Sequence, residues 1–277
     1  MVNNYIGEKD TKSFSEITNK LREFCLSKGF REVHTQDRLS ILAACEDPET
    51  VATYEYAGQR WPLPQTGQMW LEYELLTNPE LPGVFCVSTS YRNEQNPVPG
   101  RHKIIFPMFE FEIKGGIEEL QTFELELLKY LGYSDLDVHQ NTYDGLAKYY
   151  GTNDLKHSHE SRMKDDFGQV VFCKDFPSHT SPFWNMKKKD SNYSNKIDVI
   201  INGKETIGSA ERSVNKDEMK QEFYTISEGK YAKKLFDLFG KERVEKELQE
   251  FLAIPFFPRS GGGIGITRLI DAIKAKV

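Results

Sequence analysis

Across the β-rich run 104–113 the residues IIFPMFEFEI alternate in a strict two-residue period. Ile105, Pro107, Phe109, Phe111 and Ile113 take one phase of a two-residue period; Phe106, Met108, Glu110 and Glu112 take the other. A helix would scatter both sets around its axis, whereas an extended strand keeps them on opposite faces. The apolar set reads as core. The second set joins two carboxylates to a methionine and an aromatic ring, which is odd for a face turned wholly to solvent.

The preceding run, 84–92, is also β-rich, and it puts Arg92 on a common face with Glu94. The joining stretch QNPVPGRHK has two prolines and a glycine and carries Arg101, His102 and Lys103 at its far end. An antiparallel pair under a basic loop is suited to gripping a polyphosphate. It is equally a hairpin whose outer face is polar and salt-bridged, since surface ion pairs are common and inexpensive. This stretch alone leaves both readings open.

Asn202-Gly203, between two further β-rich segments of the run 196–208, is a strong signal for a two-residue hairpin turn. A turn closing there sets Ile201 opposite Lys204 and Ile200 opposite Glu205. Asp198 then shares a face with Glu205, as a diagonal neighbour at roughly 7–8 Å. Two carboxylates so placed suit magnesium bridging phosphate oxygens, or they are ordinary solvent-face charges. Arg212 follows on the second strand.

Helices are expected at three places. Ser13 and Glu16 form a capping box ahead of the stripe Phe14, Ile17, Leu21, Phe24 and Cys25, with Gly29 as the stop. A second helix spans about 117–131 before Gly132, and a third about 228–252 before Pro255. A further β-rich run lies at 169–173. Strands and helices come in blocks, which predicts an α+β class organised as one domain over 1–277. The net charge of −6 argues against nonspecific nucleic-acid binding as the main activity. Cys25, Cys45, Cys86 and Cys173 lack any paired spacing, so reduced thiols in a cytoplasmic protein are expected. No long apolar run suggests a membrane partner. The run Lys187-Lys188-Lys189 reads as a solvated loop, and His157 and His159 have no further metal ligands at a recognisable spacing.

Residues 260–269, SGGGIGITRL, hold four glycines ahead of a helical stripe at Leu269, Ile270 and Ile273. Gly261, Gly262, Gly263 and Gly265 allow close backbone approach or positive φ. A packed strand–helix corner and an anion-binding turn both fit.

Together these stretches resemble the catalytic core of class II aminoacyl-tRNA synthetases, in the aspartate/asparagine/lysine branch. Tyr91-Arg92-Asn93-Glu94 with Phe106 to Glu112 resembles the family's second motif, and Gly263-Ile264-Gly265-Ile266-Thr267-Arg268-Leu269 its third. The resemblance runs from about residue 13 to the end and implies an antiparallel sheet flanked by helices. It also implies roles. Arg92 would hold the ATP α-phosphate and the reacting carboxylate, Glu94 would read the adenine amino group, and Phe106 would stack on the base. Arg268 would cover the other face of the base and meet the γ-phosphate, with Gly263 and Gly265 lining the nucleotide and Arg101 or His102 touching the outer phosphates. Asp198 and Glu205 fall where the family places its magnesium carboxylates.

Thr66-Gly67-Gln68, with Glu72 four residues on, resembles an asparaginyl-type segment, in which Gln68 meets the substrate amino group. Leu71 stands where aspartyl enzymes have lysine. Met108 and Asp175-Phe176-Pro177 are also asparaginyl-like, and Arg212 matches the arginine directed at the substrate side chain. Three departures are evident. About a dozen residues precede the first helix, so no anticodon-binding barrel is expected. Gln36 replaces the first motif's proline, which bears on the family's usual homodimer. Thr267 stands where synthetases carry an acid; asparagine synthetase A, a stand-alone relative, has a similar GGGIGxxRL ending. The expected activity is therefore AMP-forming activation of aspartate or a close relative, with transfer to ammonia to give asparagine. Transfer to a protein, peptide or small amine is the alternative, as is an asparaginyl-like tRNA synthetase paralogue, although tRNA is not the expected acceptor.

Overall fold

The computed structural model describes residues 10–35, 39–41, 48–97, 103–180 and 183–276. Its centre is an eight-stranded sheet of β1 (Arg31–Glu32), β4 (Gly83–Tyr91), β5 (Ile105–Lys114), β6 (Val138–Thr142), β7 (Val170–Pro177), β8 (Tyr193–Ile201), β9 (Lys204–Glu211) and β10 (Arg259–Gly265). A separate hairpin pairs β2 (Thr53–Tyr56) with β3 (Gln59–Pro62). The spatial order of the large sheet is β1-β4-β5-β10-β9-β8-β7-β6. The end pairs β1–β4 and β6–β7 are parallel and the rest antiparallel, in keeping with the expected α+β class.

The alternation in β5 does what its period predicts. Phe109, Phe111 and Ile113 enter a core shared with α1 (Thr11–Ser27), α3 (Ile117–Tyr130) and α9 (Ile266–Lys274). Phe123 stacks on Phe30 and lies 4.7 Å from the Phe111 ring, so aromatic contacts stitch α3 to the sheet. On the opposite face sit α2 (Gln68–Thr77), α4 (Tyr143–Tyr150) and α5 (His157–Asp166). A second core gathers α6 (Lys216–Thr225), α7 (Lys230–Phe239) and α8 (Lys241–Ala253) around Trp184, whose indole meets Phe223 and Phe251 edge-on. Among the described residues no helix is long and apolar enough to cross a membrane.

Several elements differ from expectation. The α1 cap is Asp10, whose carboxylate accepts from Ser13 N at 3.0 Å and from Ser13 Oγ at 2.6 Å. Asp10 reaches the free amide three residues on, so Ser13 is inside the first turn rather than at its cap. The helix expected at 228–252 is two helices, because Gly240 adopts φ +87° and turns the chain between α7 and α8. The 169–173 run continues to Pro177 past a bulge in which Asp175 adopts φ +59°. The Asn202-Gly203 turn forms with φ +49° and +75°, as a tight hairpin turn requires.

β10 is inserted between β5 and β9, pairing Gly263 with Glu110 on one side and with Gly208 on the other. Its glycines are extended, so close approach rather than positive φ explains them. A Cβ on Gly261 would lie 2.7 Å from Glu112 Cδ, and one on Gly262 would lie 2.6 Å from Ser209 Cβ and 2.8 Å from Gly208 O. A Cβ on Gly263 would meet Met108 Cε at 2.6 Å.

Candidate active site

The sheet face opposite the α1/α3/α9 core carries a cleft of about 370 Å³. Strand alternation puts its floor residues there: Phe106, Met108 and Glu110 from β5, Gly263 and Gly265 from β10, and Asp198 from β8. Arg92, Glu94, Gln68, Glu205 and Arg268 also line it. Most of the motif residues separated along the chain therefore meet in one space. Arg101 and His102 lie outside the described residues, as does Gln36, while their neighbour Lys103 reaches the cleft wall.

At one end the Arg92 guanidinium carbon lies 5.7 Å from the centre of the Phe106 ring, and its backbone N donates to Ile104 O at 2.7 Å. Arg92 Nε is a buried donor with no acceptor among the described residues. Such a group is costly unless something binds to it. Arg268 Nη1 donates to Glu205 O at 2.6 Å and lies 3.9 Å from Glu205 Oε2, which ties the first turn of α9 to β9.

The carboxylates Asp198 and Glu205 share a face, but not in the simple register. Ile201 pairs with Lys204 and Ile200 with Glu205 as the turn predicts; beyond them Thr206 is an extra residue, so Asp198 faces Gly208. A Cβ on Gly208 would lie 3.0 Å from Glu205 Oε1 and 3.6 Å from Asp198 Oδ1. The missing side chain leaves a small cradle between the two acids. Lys196 Nζ pairs with Asp198 Oδ2 at 2.8 Å, and Asp198 Oδ1 is buried with no hydrogen-bond partner. Burial raises the Asp198 carboxyl above the usual range; Lys196 opposes that rise, and Glu205 adds to it. An orphaned oxygen, a second carboxylate and a side-chain-free cradle suit magnesium, which takes few protein carboxylates plus phosphate oxygens.

Behind the cleft wall lies a buried ion network. Glu72 accepts from Arg259 Nη2 at 2.6 Å and from Asn185 Nδ2 at 2.7 Å. Arg212 Nη2 donates to Gln68 Oε1 at 2.6 Å and to Glu112 Oε2 at 3.2 Å. Gln68 Nε2 in turn donates to Gly262 O at 2.8 Å, so Gln68 stands between Arg212 and the cleft. Burial raises the Glu112 carboxyl, with Arg212 opposing and Glu72 adding. Of the four residues expected to meet the amino acid, Gln68 and Met108 line the cleft, whereas Glu72 and Arg212 lie beneath it.

Sequence reasoning marked Glu110 as an odd carboxylate but gave it no role in the site. Wholly buried at the cleft floor, it accepts from the Thr66 and Ser88 hydroxyls and from Gly67 N at 2.8 Å. Its phase beside Met108 was the available signal. Lys196 was also missed, though it sits two residues before Asp198 and therefore on the same strand face. The Lys187-Lys188-Lys189 run is not a plain solvated loop. Its three ammonium groups pair with Glu211 at 2.7 Å, Glu222 at 2.5 Å and Asp175 at 3.0 Å, so the run is stitched to β9, α6 and β7. His159 Nδ1 accepts from Lys156 N at 3.0 Å at the start of α5, and no His/Cys/Asp/Glu cluster among the described residues is a three-ligand metal site.

The model of the class II tRNA synthetases (D, K and N) matches residues 7–276. Over 130 residues the chain is 31% identical to the aspartate–tRNA(Asp) ligase of Pyrobaculum aerophilum, covering 47% of this chain and 27% of that protein. Over 248 residues it is 25% identical to the cytoplasmic asparagine–tRNA ligase of Mus musculus, covering 76% of this chain and 43% of that protein. The chain thus spans less than half the length of these curated relatives. The asparaginyl-tRNA synthetase of Pyrococcus horikoshii, solved with asparaginyl-adenylate, superimposes with a TM-score of 0.78 at 21% identity, over 95% of this chain and 64% of that one. The Entamoeba histolytica asparaginyl-tRNA synthetase, also solved with asparaginyl-adenylate, gives 0.75 at 20% identity, over 96% of this chain and 63% of that one.

Proposed function

Given that this chain belongs to the class II tRNA synthetases of the D, K and N type, we propose that its cleft joins ATP to an amino-acid carboxylate. The supporting observation is the meeting of Arg92, Glu94, Phe106, Asp198, Glu205 and Arg268 on one cleft, with Arg92 Nε and Asp198 Oδ1 buried and unpartnered. A carboxylate oxygen attacks the α-phosphorus, the bond from that phosphorus to the bridging oxygen breaks, and pyrophosphate leaves with the electron pair. Arg92 neutralises the α-phosphate and orients the incoming carboxylate. Phe106 and Arg268 hold the base between them while Glu94 receives its amino group. Glu110 and Gln68 offer acceptors to the substrate ammonium. Asp198 and Glu205 would hold magnesium, which supplies charge neutralisation at the phosphates. No protein nucleophile is required, since positioning and electrostatics serve such a step.

In the second half-reaction ammonia attacks the activated carbon and AMP leaves; with the aspartate side-chain carboxylate activated, the product is asparagine. Thr267 at the cleft, with the glycine-rich approach to it, supports this amide-forming reading. A tRNA acceptor is the competing reading, favoured by relatives named as tRNA ligases.

Amino-acid-dependent ATP–pyrophosphate exchange across the twenty amino acids tests the first step. Exchange is expected with aspartate or asparagine and is abolished in Arg268→Ala and Glu205→Ala, whose circular dichroism stays that of the wild type. Wild-type exchange in either variant would refute the assigned roles. Supplying ammonia, then tRNA, to the activating enzyme separates the two acceptors.

A further inference from the structure

Lys196 is a cation that no part of the activation step has used. It lies on β8 two residues before Asp198, lines the cleft, and places Nζ 2.8 Å from Asp198 Oδ2. The same ammonium sits 3.8 Å from the centre of the Phe176 ring, so an aromatic face holds its charged head. The two oxygens of Asp198 are therefore unequal. Oδ2 is occupied by a protein cation, whereas Oδ1 has no partner and faces the Gly208 cradle with Glu205. A divalent ion bridging to Oδ2 would have to approach the fixed ammonium, and like charges at such range repel strongly.

We propose that Lys196 is a built-in cation of the phosphate site, holding Asp198 Oδ2 and leaving one divalent position, at Asp198 Oδ1 and Glu205. The ammonium then faces the polyphosphate beside a single magnesium and stands in for a second one. This inference rests on the reading of the cleft as an ATP site.

Counting bound manganese by electron paramagnetic resonance, in chains saturated with α,β-methylene-ATP, tests it. The wild type and Lys196→Arg bind one manganese per nucleotide-bound chain. Lys196→Met and Lys196→Gln bind two, the glutamine keeping a neutral donor to Asp198 should the methionine variant not fold. Nucleotide binding is measured separately by calorimetry without metal. If all variants bind nucleotide and the manganese count stays at one, the inference is overturned while the ATP reading stands. If the folded wild type binds no nucleotide, the ATP reading falls and takes the inference with it.

Discussion

Glu124, on α3, is wholly buried, and neither of its carboxyl oxygens has a hydrogen-bond partner among the described residues. The neighbouring Ser209 Oγ donates to Ile197 O at 3.2 Å. Burial is the main cause of a carboxyl pushed up to about 8 from an ordinary 4.5, with Asp198 across the sheet adding to the rise and Ser209 opposing it. A raised acid binds its proton more tightly in the folded state, so its contribution is intact below pH 4.5 and lost as pH rises toward 8. With about 1.4 kcal/mol per pKa unit, the wild type loses less than about 1 kcal/mol by pH 5, about 3 by pH 7 and about 5 by pH 9 from this group. Glu124→Gln removes the titration but buries two N–H donors in place of one O–H, at a cost of about 1–3 kcal/mol. The variant is therefore the less stable protein at pH 5 and the more stable at pH 9, and the curves cross between about pH 5 and 7. Urea unfolding of both proteins at intervals from pH 5 to 9 measures the gap directly, and other titrating groups cancel in the difference. Parallel curves over that range would show that Glu124 does not carry the proton, and the reasoning would fail.

Two further perturbations follow from the cleft wall. Arg259→Met strands Glu72 beneath the cleft, and denaturant unfolding should show a loss of about 3–5 kcal/mol; a loss under about 1 would mean that Asn185 and Arg212 suffice to hold that carboxylate. Gly262→Ala forces a methyl against Ser209 Cβ and Gly208 O, a strain of about 1–3 kcal/mol, whereas the nearest atom to a Cβ on Gly265 is Arg268 Cδ at an ordinary 3.6 Å. Thermal unfolding should separate the two alanine variants; equal melting temperatures would contradict close approach as the reason for glycine at 262.

What the sequence displayed well was local. The β5 alternation and the Asn202-Gly203 turn are encoded within a few residues of themselves, so face and register could be read directly. What it concealed was depth and long-range pairing. Glu110 and Glu112 have the phase of a non-core face, yet both are fully buried, because α2 and the arginine network close over that face. Nothing in SGGG announces a strand, since glycines carry no alternation, and its place between β5 and β9 is set by neighbours 150 and 50 residues away. The extra residue Thr206 shifts Asp198 by one position, which a regular hairpin cannot foresee. Arg212 was legible as a functional charge but not as one held behind Gln68.

The position of β10 also orders events in time. A nascent chain that has emerged only as far as residue 258 can pair β4 with β5 and assemble β7, β8 and β9, but no strand yet lies between β5 and β9. Arg92 and Glu110 then belong to one half and Asp198 and Glu205 to the other. β10 supplies the backbone pairing between those halves, so the sheet that carries these residues is continuous only once the glycine strand has been made. A strand whose partners lie about 150 and 50 residues earlier has long loops to close, which favours slow assembly of the sheet centre.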